Sequence, residues 1–465
     1  MNKPLNLYIL NTPHDQWENY LIKDFKEKGI IENAVVQKTV TASKKKFVNL
    51  GSKGLNGEYK FVPVDIYDRV YDHLPKFIDM YSRVNLHNSV NYNELNYHQY
   101  LDHFNLMINY YYGLFTENNI DLLVQNNSPH AGYDYIPHLL AKEMGIKTLY
   151  LEQTTFPNRF FHYWEFEDFG TFSTTKRLFG PYPPIVIENK FEKDLPYMKV
   201  NRRDGFKLSN IKGPASLHNE LTKYVPEYQL TKDLLKSNYR SQAYYRYKLR
   251  KQYEKNRKKL AAELNLNVPF VYFALHLQPE KTTSSLGGKY SDQALALEHL
   301  SSILPENWKI YVKENPKQTY FMRNPEFFRR LERIPNLEFV SPSYNTYDLI
   351  KNSKVCATIT GTVGWEAITG GKSVVIFGRA WYKTLSGVYT FSPDLDLEEI
   401  SSKPVNFSEL QLSFNDLTAK LAPGYTLNEV YPTYYKEYDV DENDVIVANS
   451  LEKIIRSKFE NNVTE

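Results

Sequence analysis

Cysteine is almost absent from the sequence: 465 residues contain one, Cys356. A disulfide within the chain is thereby excluded, and a lone cysteine inside an apolar stretch reads as a buried, inert thiol rather than a nucleophile. Long apolar runs are missing as well. None approaches the roughly 18 residues a membrane-spanning helix needs. The opening MNKPLNLYILNTPHDQW has only a short apolar core with no small-residue cleavage site behind it, so it reads as a first strand and a cytoplasmic protein is expected. Charge of one sign is scarce, since 57 basic against 54 acidic residues leave a net +3, too little to argue for nucleic acid as a partner. Solenoid-period repeats, low-complexity tracts, a GxGxxG fingerprint and a Walker lysine are all lacking. No His/Cys/Asp cluster has metal-ligand spacing, so no metal is expected.

What is present is an ordinary globular composition, 42% hydrophobic and 24% charged, in a chain long enough for two or three domains. Tyrosine is abundant, with 38 copies. Stacking on sugar rings is one use for such residues, and an AT-rich genome, which the many Asn and Lys also suggest, is the cheaper explanation.

The most informative stretch runs from Lys354 to Gly378. Val355 to Ile359 is a β-branched run suited to a strand buried on both faces, and Val374 to Phe377 repeats that character after a gap that fits one helix. Thr360-Gly361-Thr362-Val363-Gly364 supplies small residues where the loop turns into the helix, and Gly370-Gly371 ends it. A strand emptying into a glycine-containing helix start presents backbone N–H groups and the positive end of the dipole, which suits a phosphate. Thr360 and Thr362 add hydroxyls, and Gly361 is the expected point of close backbone approach.

Taken in order, the chain alternates strand and helix. Leu5 to Leu10 reads as a strand, Trp17 to Lys28 as a helix, Phe61 to Ile66 as an extended segment, Asn93 to Phe115 as a long helix and Ile120 to Val124 as a strand. After Ser128-Pro129-His130 come a helix bearing Ile136, Leu139, Leu140 and Met144, a stop at Gly145, and a strand Lys147 to Leu151. Residues 191–267 are polar and then basic. Within them Lys232 to Lys259 holds eleven basic residues against Asp233 and Glu254, and a helix or helix pair is expected there. The alternation resumes with strands Phe270 to Leu275, Lys309 to Val312 and Leu337 to Val340, and a short helix Tyr347 to Lys351. The expected division is 1–190, a Rossmann-like domain; 191–267, a basic helical linker or insertion; 268–430, a second Rossmann-like domain; and 431–465, a helical tail with Val445 to Ile455 at its centre. The fold class is α/β of GT-B type, two Rossmann-like domains facing each other across a cleft.

Three loops follow second-domain strands directly: His276 to Glu280, Lys313 to Lys317, and Thr360 to Gly364. On one rim, Gln278 and Asn315 suit a base or sugar edge, Lys313 or Lys317 a phosphate, and Glu366 a ribose hydroxyl pair. The alternative is that Pro279 and Pro316 end strands and the polar residues are loop. In the first domain, the strand-end loops hold groups suited to acid, base or nucleophile work and to stabilising a departing anion. Glu152, at a strand end, is the first choice as nucleophile or base. Asp134 is second, with capping as its alternative, and His130 suits general acid or base work or a leaving phosphate. Asp394-Leu395-Asp396 imitates a metal-binding DxD in an acidic surface segment.

The segments QPEKTTSSLGG at 278–288, YVKENPKQ at 311–318 and ITGTVGWEAITGGKSVVIFG at 359–378 resemble the bacterial capsule polysaccharide biosynthesis family that includes the Kdo transferases of capsule lipid linkers. SPHAGYDY at 128–135 and LEQTTFPNRF at 151–160 resemble its first-domain loops. The resemblance implies a GT-B glycosyltransferase acting in capsule or lipopolysaccharide assembly. It implies a CMP-activated ulosonic acid, of Kdo or nonulosonic type, as donor substrate, a glycan or lipid-linked glycan as acceptor, and no separate cofactor. Two positions depart from the family pattern: its His-Pro pair is Asn315-Pro316 here, and its Glu-Asp-Gly loop is Glu152-Gln153-Thr154. A non-catalytic nucleotide- or glycan-binding protein and a sugar-nucleotide epimerase are the alternative functions. The stretch Lys232 to Lys259 reads either as a connector or as a contact with the anionic inner face of the cell membrane.

Overall fold

The computed structural model of the chain describes residues 3–11, 16–38, 61–87, 96–188, 240–261, 264–278, 280–316, 318, 320, 322–341, 344–427 and 438–460. The first sheet contains β1 (Leu5–Asn11), β2 (Ile31–Lys38), β3 (Leu122–Asn126), β4 (Lys147–Gln153) and β5 (Arg159–Tyr163). The second contains β6 (Phe270–Ala274), β7 (Lys309–Lys313), β8 (Leu337–Phe339), β9 (Val355–Thr358), β10 (Val374–Ile376) and β11 (Val388–Thr390). The chain then crosses back, and β12 (Ala422–Pro423) joins the first sheet, giving the orders β12-β5-β4-β3-β1-β2 and β11-β10-β9-β6-β7-β8. Strands β1 to β4 run parallel, as do all six of the second sheet, while β5 and β12 run antiparallel to their neighbours.

Both sheets are buried on both faces, which is why their central strands read as continuous apolar runs. In β1, Leu5, Leu7 and Ile9 face one core with the helices Trp17–Glu27 and Val440–Phe459, whereas Tyr8 and Leu10 face the other. In the second sheet, Phe270, Tyr272, Tyr311, Cys356 and Ile376 fill one core, and Val271, Phe273, Ile310, Ala357 and Val375 the opposite one. Cys356 is buried, and burial pushes its thiol up to about 12, the inert state expected of it.

Several expectations are corrected. Phe61 to Ile66 is not a strand. Pro63, with φ −53° and ψ 139°, caps a helix Val64–Tyr71, so that Val64 and Ile66 fall in its first turn while Phe61 and Val62 precede it. The edge strands β2, β11 and β12 were not expected, because half-exposed or very short edges lack the apolar run that marks a central strand; β5, buried between β4 and β12, was not expected either. The last helix extends over Val440–Phe459 and packs on Trp17–Glu27 of the first domain, with Lys28 and Glu452 paired at 2.7 Å. Of the basic stretch, residues 232–239 lie outside the described residues, and Arg240–Lys259 is one helix. It is held to the second domain by Tyr253, buried against Phe328 at 5.9 Å, and by Lys259 to Glu332 at 2.8 Å.

Candidate active site

At the C-terminal end of β3 the chain turns through Asn127, whose φ of +96° is one of the few left-handed non-glycine residues. Its N–H donates to Leu151 O at 2.8 Å, which brings Ser128 beside the end of β4. There Glu152 Oε2 accepts from the Ser128 N–H at 3.0 Å and from its hydroxyl at 2.9 Å. The other oxygen, Oε1, meets the ammonium of Lys281, which comes from the second domain and also donates to Asn127 Oδ1 at 3.1 Å. Ser128 Oγ is in turn 2.9 Å from the buried Tyr163 hydroxyl, whose pKa is raised by burial and then by the Glu152 charge.

Asp134 lies one turn into the helix Gly132–Glu143, is almost fully buried, and accepts the N–H of Ala131 at 2.7 Å and of His130 at 3.0 Å. It therefore caps its helix. It also receives His130 Nδ1 at 2.9 Å, and the same nitrogen points at Ser128 O at 2.9 Å. Both partners are acceptors, so Nδ1 carries the hydrogen and Nε2 is the basic nitrogen of His130.

On the facing rim, the loop after β6 is folded inward. His276 is buried; its Nε2 lies 2.8 Å from Thr358 Oγ1 and accepts the Thr360 N–H at 3.3 Å, while its own N–H donates to Gln293 at 2.8 Å. Burial, and secondarily the charge of Arg323, lower its pKa to about 3, so the ring is neutral. Gln278 is also interior: its N–H donates to Gln318 Oε1 at 2.7 Å and its side-chain oxygen accepts from Arg323. Arg323, fully buried, donates to Glu314 at 3.0 and 3.3 Å and to His276 O at 3.1 Å, and its guanidinium covers the Phe327 ring at 4.6 Å. Asn315 closes this turn by donating its N–H to Glu314 Oε1 at 3.1 Å and accepting that of Gln318 at 2.9 Å. Lys313 donates to Tyr344 O at 2.6 Å and Thr346 Oγ1 at 2.8 Å, tying β7 to the start of the helix Thr346–Asn352. Lys317 lies outside the described residues.

Glu280 is exposed and accepts from Thr282 at 3.2 Å, whereas its neighbour Lys281 reaches across the cleft. The helix Thr362–Thr369 starts from Gly361, with exposed Thr362 in its first turn. Buried Thr360 donates its hydroxyl to Thr282 O at 2.8 Å, and Tyr382 donates to Gly361 O. A side chain on Gly361 would come within 2.9 Å of both His276 Nε2 and Thr358 Oγ1, so the absence of a Cβ here serves the protein's own packing. Glu366 stands beside Tyr347, whose hydroxyl is raised by burial first and by that carboxylate second.

The two rims are thus in contact. Besides Glu152–Lys281, Ser285 donates to Pro129 O, Lys76 donates to Ser284 O, and Phe156 of the first domain packs edge-on against Trp381 at 5.5 Å and Trp365 at 6.2 Å. Lys281, Ser128 and Arg323 are the residues the sequence reading passed over. Lys281 stands within the motif at 278–288, where the carboxylate beside it drew attention instead. Among the described residues no group of three or more His, Cys, Asp or Glu is placed to hold a metal ion, and no helix is long and apolar enough to cross a membrane.

Two α/β domains built on mainly parallel sheets, with strand C-termini meeting across one cleft, define a protein of GT-B type. Residues 217–396 match the model of the capsule polysaccharide biosynthesis protein family, which bears out the resemblance carried by the second-domain motifs. No curated protein matches the chain in sequence. Among solved structures, it is similar at 9% identity to KpsC of Thermosulfurimonas dismutans, a β-Kdo 2,7 transferase, over 96% of this chain and 99% of that one, with a TM-score of 0.34. The UDP-GlcNAc 2-epimerase of Methanocaldococcus jannaschii matches at 10% identity over 89% and 92% of the two chains, TM-score 0.24. An α,α-trehalose-phosphate synthase of Burkholderia vietnamiensis matches at 10% over 97% and 100%, TM-score 0.27. Likenesses at this level say nothing of activity.

Proposed function

We propose that this protein is a glycosyltransferase of bacterial surface polysaccharide assembly, moving a sugar from a nucleotide-activated donor to a glycan acceptor. The observation that carries the reading is the Glu152 carboxylate at the first-domain rim, held by Ser128 and facing the ammonium of Lys281 from the family-matched domain. A transferase needs such an opposed pair: a carboxylate to act on the acceptor hydroxyl or the anomeric carbon, and a cation for the charge that develops on the leaving phosphate. On donor arrival Lys281 exchanges its carboxylate partner for the phosphate, which frees Glu152 Oε1 on the acceptor side. The start of the helix Thr362–Thr369 offers N–H groups to the same phosphate, and Glu366 and the Lys313 turn border the nucleoside. His130 Nε2 is a second base at this rim, oriented by Asp134. The donor in this reading is a CMP-linked ulosonic acid, as the motif resemblance implies, and the leaving charge is met by lysine and backbone without a metal. The helix Arg240–Lys259, with nine basic residues and Glu254 as its one acid, suits the anionic inner face of the membrane, where a lipid-linked acceptor is presented.

The test is nucleotide release from a panel of CMP- and UDP-sugars, with and without acceptor glycan, comparing the parent with Glu152→Gln. Acceptor-dependent release that falls on the order of a hundredfold or more in the variant, with donor binding retained, is expected. Nucleotide binding without turnover in the parent makes the protein a non-catalytic binder, and turnover that needs no acceptor makes it an epimerase or hydrolase.

A further inference from the structure

A pocket of about 330 Å³, within the range of roughly 300–1,000 Å³ usual for small-ligand sites, opens where the loop between β4 and β5 meets the start of the last helix. Pro157, Asn158, Tyr425, Tyr438, Asp439 and Glu442 line it, so its described walls come from the loop between β4 and β5, from Tyr425 just after β12 and from the start of the last helix. The walls are rigidly joined to the strand ends that carry Glu152. Thr426 N–H donates to Gln153 Oε1 at 2.7 Å, and Thr426 O accepts from Asn126 at 2.7 Å and from Trp17 Nε1 at 3.3 Å. Tyr425 is clamped through both backbone groups by the buried amide of Asn443, at 2.8 and 3.0 Å, and Gly424 N–H donates to Asn158 O at 3.2 Å. The tyrosine rings meet edge to face at 5.2 Å, which leaves a fixed aromatic corner.

The chemistry of this lining selects its ligand. Asp439 and Glu442 bring carboxylate oxygens and Asn158 an amide, and among the described lining residues there is no Lys, Arg or His. A phosphate or carboxylate would meet two like charges there, with no cation among the described lining residues to offset them. A ring with hydroxyl donors on its edge and C–H groups on its face satisfies both the carboxylates and the tyrosines. We infer that the pocket is a saccharide subsite for a neutral or amine-bearing pyranose of the acceptor, beyond the unit whose hydroxyl reacts. This rests on the transferase reading for the word acceptor and on the pocket alone for the saccharide. It assigns a binding role to the last helix and to the chain just after β12, neither of which carries any of the sequence motifs.

The experiment uses the full chain with methyl β-galactoside and methyl N-acetyl-β-glucosaminide as neutral probes and glucuronate as the anionic control, read by saturation-transfer NMR, with CMP titrated separately. Transfer to at least one neutral probe, none to glucuronate, and a loss of about tenfold or more in Tyr438→Ala and in Glu442→Lys are expected. Intact CMP binding and unchanged circular dichroism show that the variants are folded. Neutral probes that fail to bind, that bind both variants as well as the parent, or that bind no better than glucuronate overturn the inference. CMP binding with no saccharide binding refutes the pocket and leaves the transferase reading; saccharide binding lost in the variants, with no nucleotide bound by any protein, refutes the transferase reading and leaves the pocket.

Discussion

Acid should undo this fold through His276 well before it protonates the ring in the folded protein. The unfolded chain titrates this imidazole near its ordinary value of about 6.5, whereas burial among Thr358, Thr360 and Arg323 holds it near 3. Below about pH 6.5 the unfolded state therefore binds the extra proton, so stability contributed by the neutral ring is full above that pH and is lost progressively as pH falls toward 3. At about 1.4 kcal/mol per pH unit the whole displacement is worth on the order of 5 kcal/mol. His138 and His162, both lowered to about 4 mainly by burial, act in the same direction within the first domain. Guanidinium unfolding followed by tryptophan fluorescence, at intervals between about pH 8 and pH 4, gives the slope. His276→Gln keeps an oxygen to accept the Thr360 N–H but removes the titration. It should be less stable at neutral pH, with an acid slope shallower by about 1.4 kcal/mol per pH unit and the remainder left to the other two histidines. A variant whose stability falls with acid as steeply as the parent's would refute the reasoning.

Other substitutions test the arrangement of the rims. Arg323→Met leaves Glu314 buried without its cation and should cost about 3–5 kcal/mol, measured by chemical unfolding; a loss below about 1 kcal/mol would mean that the three loops do not depend on this pair. Gly361→Val must displace His276 and the Thr358 hydroxyl, so a stability loss of about 1–3 kcal/mol should accompany any loss of nucleotide affinity, and a variant as stable as the parent would contradict that contact. For the helix Arg240–Lys259, sedimentation with anionic vesicles at low salt, absent with neutral vesicles and fading as salt rises, is expected; no pelleting with either lipid makes the helix a connector.

What was legible in the sequence was local. The unit from Val355 to Ile376 could be read because β-branched strands, a small-residue turn and a glycine stop all lie within one short stretch, and Gly371 does take the positive φ, +79°, that ends its helix. The stop at Gly145 follows the same rule, with φ +72°. Polarity at strand ends was legible too, but its use was not: the same Gln278 that suits a nucleotide edge is turned inward by Arg323, 45 residues away along the chain. Glu152 could be chosen as a carboxylate from its strand end alone, whereas its partner Lys281 lies 129 residues further on in the other domain. The last helix is amphipathic in sequence, yet only the crossing back through β12 decides that it covers the first sheet and walls a pocket beside Glu152's strand. Periodicity and turn chemistry act between neighbours in sequence and so determine the elements. Which polar group meets which, and whether a loop faces a ligand or the interior, depends on contacts between distant segments that no local pattern encodes.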